Sequence, residues 1–307
     1  MKYLLPIVPL LAPGLSNCTC PDDYRLVPQP HATTVAQVHA LTNCEIHHYG
    51  TTLLAEASSP EVARELLKRG AQPVGKIIRN GQVETGSAIA QTDNEQVIRV
   101  LLEAGADANI GSGSTHRNAL CNAAVNGNTQ AVSILLAGGA DPNRPDSRGE
   151  SPLYLAAGNM HIDACNLLLS RGASPDYGRI TDGESPLMAA LKAPAENAKK
   201  LSIAQSLLLS GANPLQVDSE GNTPLHFAPA ELIPNLLAAG ARVNARNNLG
   251  RTPLFYCQTI QQAQLLLNAG AAINATDYSG KKPFDIISSA QVKSYLLTCG
   301  ATGGSLY

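Results

Sequence analysis

The stretch DSRGESPLYLAAGNMHIDACNLLLSRGASPD, Asp146 to Asp176, decides how the chain is read. Ser151-Pro152 starts a helix. Proline lacks the N–H that a first helical position leaves unpaired, and the serine hydroxyl caps the free amides behind it. Ala156-Ala157 keep that helix thin. Leu167-Leu168-Leu169 give a second helix its apolar stripe. Gly172 follows that helix, where glycine enters the left-handed region at little cost. Asp146 and Gly149 belong to a turn that projects ahead of the pair. Two helices this short and thin cannot bury an apolar face alone, so the unit must stack on copies of itself.

Copies are present. A leucine-rich run ending in Gly-Ala recurs at Gly70, Gly105, Gly139, Gly172, Gly211, Gly240, Gly270 and Gly300. The steps are 35, 34, 33, 39, 29, 30 and 30 residues. Boxes like Ser151-Pro152-Leu153-Tyr154 return at Ser185-Pro186-Leu187, Thr223-Pro224-Leu225-His226, Thr252-Pro253-Leu254 and Lys282-Pro283-Phe284. Position by position, the unit resembles the ankyrin repeat, whose box is Thr-Pro-Leu-His and whose period is about 33 residues. The resemblance implies an all-α solenoid of about eight helix-turn-helix repeats with finger turns, spanning 47–301. Residues 33–46 read as a short capping helix within a 19–46 cap segment, and 302–307 as a tail. Repeat one lacks proline in its box. Repeat five has about six extra residues in its link, and repeats six to eight are about three short there. His226 matches the histidine that holds the turn between fingers in this family, and His161 matches the one that opens the second helix.

The 307 residues carry a net charge of −2, contain no Trp and only three Phe, and are 44% hydrophobic. Such a core is built from Leu, Ala, Val and Ile. Lys199-Lys200 and Lys281-Lys282 are isolated pairs, so no clustered basic excess of the kind that tracks phosphates is present. At the N-terminus, Lys2 precedes an apolar stretch from Tyr3 to Leu11 and then turn-forming residues, the layout of a secretory signal over 1–18. Leu15-Ser16-Asn17-Cys18 resembles a bacterial lipoprotein box with Cys18 as the lipidated residue, although Asn17 stands where Gly or Ala is usual. The alternative is an apolar arm packed on the first repeat. No other stretch approaches the roughly 20 apolar residues of a membrane span.

Cys20 and Cys44 are a candidate disulfide in an exported chain, with free thiols the alternative. Cys121, Cys165 and Cys257 fall on helix positions facing the stack, and Cys299 precedes the last Gly-Ala. His31, His39, His47 and His48 lie near Cys44, but their spacing is too loose for a zinc site and none is assigned. Gly111–Thr115 (GSGST) lacks the lysine of a phosphate loop and falls where a finger belongs. No catalytic motif stands in supporting context, and no cofactor is implied.

The expected function is therefore binding of another protein by the concave face of fingers and first helices, without catalysis and without nucleic acid. Candidate contact residues are those that the core does not dictate: Arg148, Glu150 and Tyr154, then Asn222 and Phe227, then Arg246, Arg251 and Tyr256, and finally Tyr278 and Lys281. Tyr and Arg dominate interface hot spots, and their gathering in repeats seven and eight points to a basic, aromatic patch. The long link Ala193–Lys200 is a second candidate contact. With the signal-like N-terminus, these readings lead to a binding module of the bacterial envelope or periplasm, held to the membrane only through Cys18. One specific role is an immunity protein that neutralises a secreted effector or toxin. An envelope scaffold, a stress-protective protein and a host-directed effector are the alternatives.

Overall fold

The computed structural model describes residues 30–79, 82–112 and 116–303. The signal-like segment, Cys18 and Cys20 lie outside the described residues, as do 113–115 of the GSGST loop and 304–307 of the tail. Helix pairs stack in two rows, as the repeat pattern requires. The inner row holds α2 (Asn43–Ala55), a 3₁₀ turn (Ala88–Ala90), α5 (Ala119–Asn126), α7 (Pro152–Gly158), α9 (Pro186–Lys192), two further 3₁₀ turns (Pro224–Phe227 and Pro253–Tyr256) and α13 (Pro283–Ile286). The outer row holds α3 (Pro60–Lys68), α4 (Glu95–Glu103), α6 (Thr129–Ala137), α8 (Ile162–Ser170), α10 (Asn197–Leu209), α11 (Ile233–Ala238), α12 (Ile260–Asn268) and α14 (Ala290–Thr298). One hydrophobic cluster runs from Ala32 to Ala301, so stacking supplies a core that no repeat has by itself.

The box chemistry appears as expected. The hydroxyls of Ser151 and Ser185 accept from the amides of Tyr154 and Met188, at 3.1 and 3.2 Å. Gly172 has φ +88° just past α8, and its amide donates to the carbonyl of Leu169. His226 fixes its turn as the family resemblance implied. Its Nδ1 accepts from the Thr223 amide at 3.0 Å, so Nε2 carries the proton and donates to the carbonyl of Arg251, at 3.2 Å. His161 opens α8, with Nε2 2.8 Å from the carbonyl of Val125. Cys121, Cys165 and Cys257 are buried, and Cys299 is exposed.

Three local features differ from the sequence reading. The cap is not one helix. Thr34 and Thr42 each form a capping box, with Gln37 and Glu45, so the chain makes α1 (Val35–Ala40), turns at Leu41, and starts α2 at Asn43, ahead of the 46/47 boundary. Arg69 fastens this cap by donating to the carbonyls of Val38 and Leu41. The finger after repeat one is a β-hairpin, β1 (Val74–Arg79) antiparallel to β2 (Gln82–Ser87), with Val74 opposite Ser87. The β-branched pair Ile77-Ile78 and the Asn-Gly that follows in sequence favour this ribbon over a short turn. Finally, the inner helices of repeats six and seven are reduced to single 3₁₀ turns. Their shortened links leave no room for a second turn.

Candidate functional site

Aspartate or asparagine at the base of four fingers sets their shape. Asp146 Oδ1 accepts from the amides of Arg148 and Glu150; Asp218, Asn247 and Asp277 repeat this two and four residues on. Three hydrogen bonds to its own turn and side chains, together with one from Arg251, outweigh burial and hold the Asp277 carboxyl down to about 2.

Between these bases runs a polar ladder in which mostly buried acidic and amide side chains meet partly exposed cations. Arg117 pairs with Asp146 at 3.0 Å and with Glu150 at 3.4 Å. Arg179 reaches Glu150 at 3.7 Å, Glu184 at 2.6 Å, and Asp182. Lys192 bridges Glu184 at 3.2 Å and Asp218 at 3.0 Å. Asn222 then donates to Asp218, and Asn247 donates to Asn222 and to the Tyr256 hydroxyl, at 2.8 and 2.7 Å. The chain of contacts crosses repeats three to seven without a break. Burial works against the Lys192 ammonium, but its bond to Asp218 and the charge of Glu184 prevail and raise its pKa. Three cations face five carboxylates along the ladder, so its surplus is negative and its cations are already matched.

This ladder corrects part of the predicted contact set. Glu150, Tyr154 and Asn222 are buried. Tyr154 donates its hydroxyl to Glu184 at 2.9 Å, and burial followed by that bond pushes its pKa above the usual tyrosine range. The positions that look free in sequence are rungs between repeats, because a polar side chain one turn from a finger base reaches the next repeat. Arg251 is half-buried and matched by Asp277 at 3.1 Å, so the basic patch of repeats seven and eight is weaker than its composition implies. Arg148, Arg246, Tyr278 and Lys281 are exposed, Tyr278 by 74%. Arg246 is held by the carbonyls of Gly250 and Thr276, and the Tyr278 ring lies over Gly250, where a Cβ would meet it at 2.8 Å. Gly250 has φ +76°, so the close approach and the backbone both require glycine.

Phe227 and Tyr256 come together in a groove of about 510 Å³ that the inner-helix ends Leu191-Lys192, Phe227 and Tyr256 share with the links that follow them. Lys192 stands 4.4 Å from the centre of the Phe227 ring, and His226 meets Tyr256 edge to face at 5.7 Å. Lys200, from the long link of repeat five, also lines it. Sequence reasoning singled out that link but did not single out Lys192, Arg117 or Arg179 as contact or site residues. Their signal was position: each lies within a few residues of an inner-helix end that faces an acidic finger base. Among the described residues no group of His, Cys, Asp and Glu is arranged to hold a metal, and no helix is long and apolar enough to cross a membrane.

The family model described as ankyrin repeats (3 copies) matches residues 87–179 and again 187–277, more than half of the chain. The chain belongs to the ankyrin-repeat family. The two matches cover repeats two to seven, and the α2–α3 and α13–α14 pairs join the same ankyrin stack by their packing. The chain is 31% identical over 179 residues to neurogenic locus notch homolog protein 1 of Mus musculus, which is 57% of this chain and 7% of that protein. It is 35% identical over 152 residues to the mitochondrial disaggregase of Bos taurus, 48% of this chain and 21% of that protein. It is 34% identical over 104 residues to ankyrin repeat protein OPG189 of Variola virus, 33% and 18%. The chain thus spans less than a quarter of each relative's length. The crystal structure of the human ASB11 ankyrin repeat domain matches with a TM-score of 0.58 at 22% identity, over 68% of this chain and 95% of that one, a likeness of fold. An ankyrin solenoid of this kind is a protein-binding module.

Proposed function

We propose that the protein is a non-enzymatic module of the bacterial cell envelope whose ankyrin face grips a folded protein, with neutralisation of a secreted effector or toxin as its role. The observation that carries the binding reading is the continuous ladder from Arg117 to Tyr256. It fixes the fingers and inner helices of five repeats before a partner arrives, so little ordering free energy is lost on association. The envelope location rests on the signal-like layout of residues 1–18, and an antagonist needs only tight occlusion.

The test is capture of a partner from the producing strain by the full-length protein, repeated with Tyr256→Ala and Tyr278→Ala. Loss of a specific partner in either variant, with unchanged melting, supports the reading. Failure of the wild-type chain to capture any effector or toxin removes the neutralising role. Incorporation of labelled fatty acid in the wild type but not in Cys18→Ser reports the anchor, and its absence in both removes it.

A further inference from the structure

Repeat five is out of step with its neighbours. Its link is longer and its inner helix is a full α-helix, where repeats six and seven have single 3₁₀ turns. The groove described above is lined from both sides of that mismatch, by Asn197 and Lys200 of repeat five and by Phe227, Pro229, Tyr256 and Gln258 of repeats six and seven. Its charges are unequally satisfied. Lys192 is matched by Glu184 and Asp218. Half-buried Lys200 donates to the carbonyl of Leu191 at 2.9 Å, and no carboxylate among the described residues lies within ion-pair distance. Among the described residues Glu231 is the one carboxylate lining the groove. It is exposed, takes a hydrogen bond from Asn197 at 3.2 Å, and is screened by solvent at the rim. The pairing left to be made inside the groove is therefore with an anion. Phe227, with Lys192 over its ring at 4.4 Å, and Tyr256 line the same groove as Lys200, and Gln258, exposed, adds a carboxamide, a donor and acceptor suited to a peptide main chain.

We propose that this groove takes an extended segment of the protein partner that carries an aspartate or glutamate beside an apolar residue. The carboxylate sits on Lys200 Nζ, and the apolar side chain lies against Phe227 and Tyr256. The inference rests on the protein-binding reading and gives it a second point of contact, distinct from the fingertips.

The experiment pans a phage-displayed library of random peptides against the intact protein. Synthetic versions of the enriched sequences are then measured on wild type, Lys200→Met and Lys200→Glu. Lys200→Met keeps the aliphatic stem and is checked by melting. The expected result is enrichment of Asp or Glu next to an aliphatic or aromatic residue. Affinity falls about tenfold in Lys200→Met, as for loss of a partly desolvated charge pair, and binding is abolished in Lys200→Glu. Replacing the peptide carboxylate by its amide weakens wild-type binding equally. No enrichment, enriched peptides without an acidic residue, or unchanged affinity in folded Lys200→Met overturns the proposal. If Lys200→Glu captures the natural partner at full strength, the groove assignment fails while the protein-binding reading stands.

Discussion

Arg179 is the rung on which most of the ladder hangs, and Arg179→Met tests whether the ladder holds the stack. The guanidinium contacts Glu150, Asp182 and Glu184, and both glutamates are buried. Removing one member of a buried ion pair costs about 3–5 kcal/mol when the partner is left alone. Here neither glutamate is alone: Glu150 keeps Arg117 and Glu184 keeps Lys192. Methionine also retains the packing of the aliphatic stem. The expected loss is therefore lower, about 2–3 kcal/mol at pH 7. It has a pH signature. The hydrogen bond from Arg179 is the main cause that holds the Asp182 carboxyl below its ordinary 3.8. A depressed carboxylate contributes stability above its unfolded value and loses it as pH falls through the folded value. That contribution exists only in the wild type, so the gap between wild type and variant narrows below about pH 4. The assay is urea unfolding followed by circular dichroism at pH 7 and at pH 3.5, with Arg179→Met/Glu184→Gln as the relief variant. The double variant should recover part of the loss, because it removes a carboxylate that the single variant leaves under-compensated. A loss under about 0.5 kcal/mol, or a double variant no better than the single, would refute the ladder as an inter-repeat tie.

After Gly105, Gly139, Gly240 and Gly270 an asparagine stands four residues on and should act as a clamp to the next repeat. Asn244 donates to the carbonyl of Gly270 at 3.0 Å and accepts from the amide of Ala272 at 2.8 Å, and Asn143 and Asn274 do the same one repeat away. Asn244→Ala should cost about 1–2 kcal/mol, from two solvent-facing hydrogen bonds, with faster amide exchange at Ala272; unchanged exchange there would count against it. Burial lowers the His226 pKa and keeps the ring neutral, so its contribution is complete above the ordinary 6.5 and declines as pH falls below it. The fall in melting temperature between pH 7 and pH 5 should be smaller in His226→Gln, and an equal fall in both proteins refutes this. Burial also pushes the Cys121, Cys165 and Cys257 thiols up to about 12. Peptide mapping after iodoacetamide treatment of the native protein should find Cys299 alkylated and those three protected; rapid labelling of Cys165 would contradict the packed stack.

How much was legible depended on whether a residue's role was local. Ser151, Pro152 and Gly172 owe their roles to neighbours within a few residues, through capping, a fixed φ or a left-handed stop, and each follows from the sequence. His226, which bonds its own turn and also Arg251 in the next repeat, is read through the family resemblance. Tyr154, Glu150 and Asn222 act across repeats. Their neighbours in space lie about thirty residues away in sequence, so a one-repeat reading took buried rungs for surface contacts. The hairpin at 74–87 is carried by a short β-branched run that the repeat period does not show. The groove needed two facts together, a long link in repeat five and trimmed inner turns in six and seven. Both insertions and deletions were visible, but not that Phe227, Tyr256 and Lys200 would face one space.

The sequence by itself determined the repeat, the helix starts and stops, and the stack, because each follows from bonds within one unit and from an apolar face that only a copy can cover. Tertiary structure alone decided which polar residues are spent joining repeats and which remain free for a partner, because Coulomb and hydrogen-bond partners are set by distance in space, and stacking brings together charges that the chain keeps a full repeat apart.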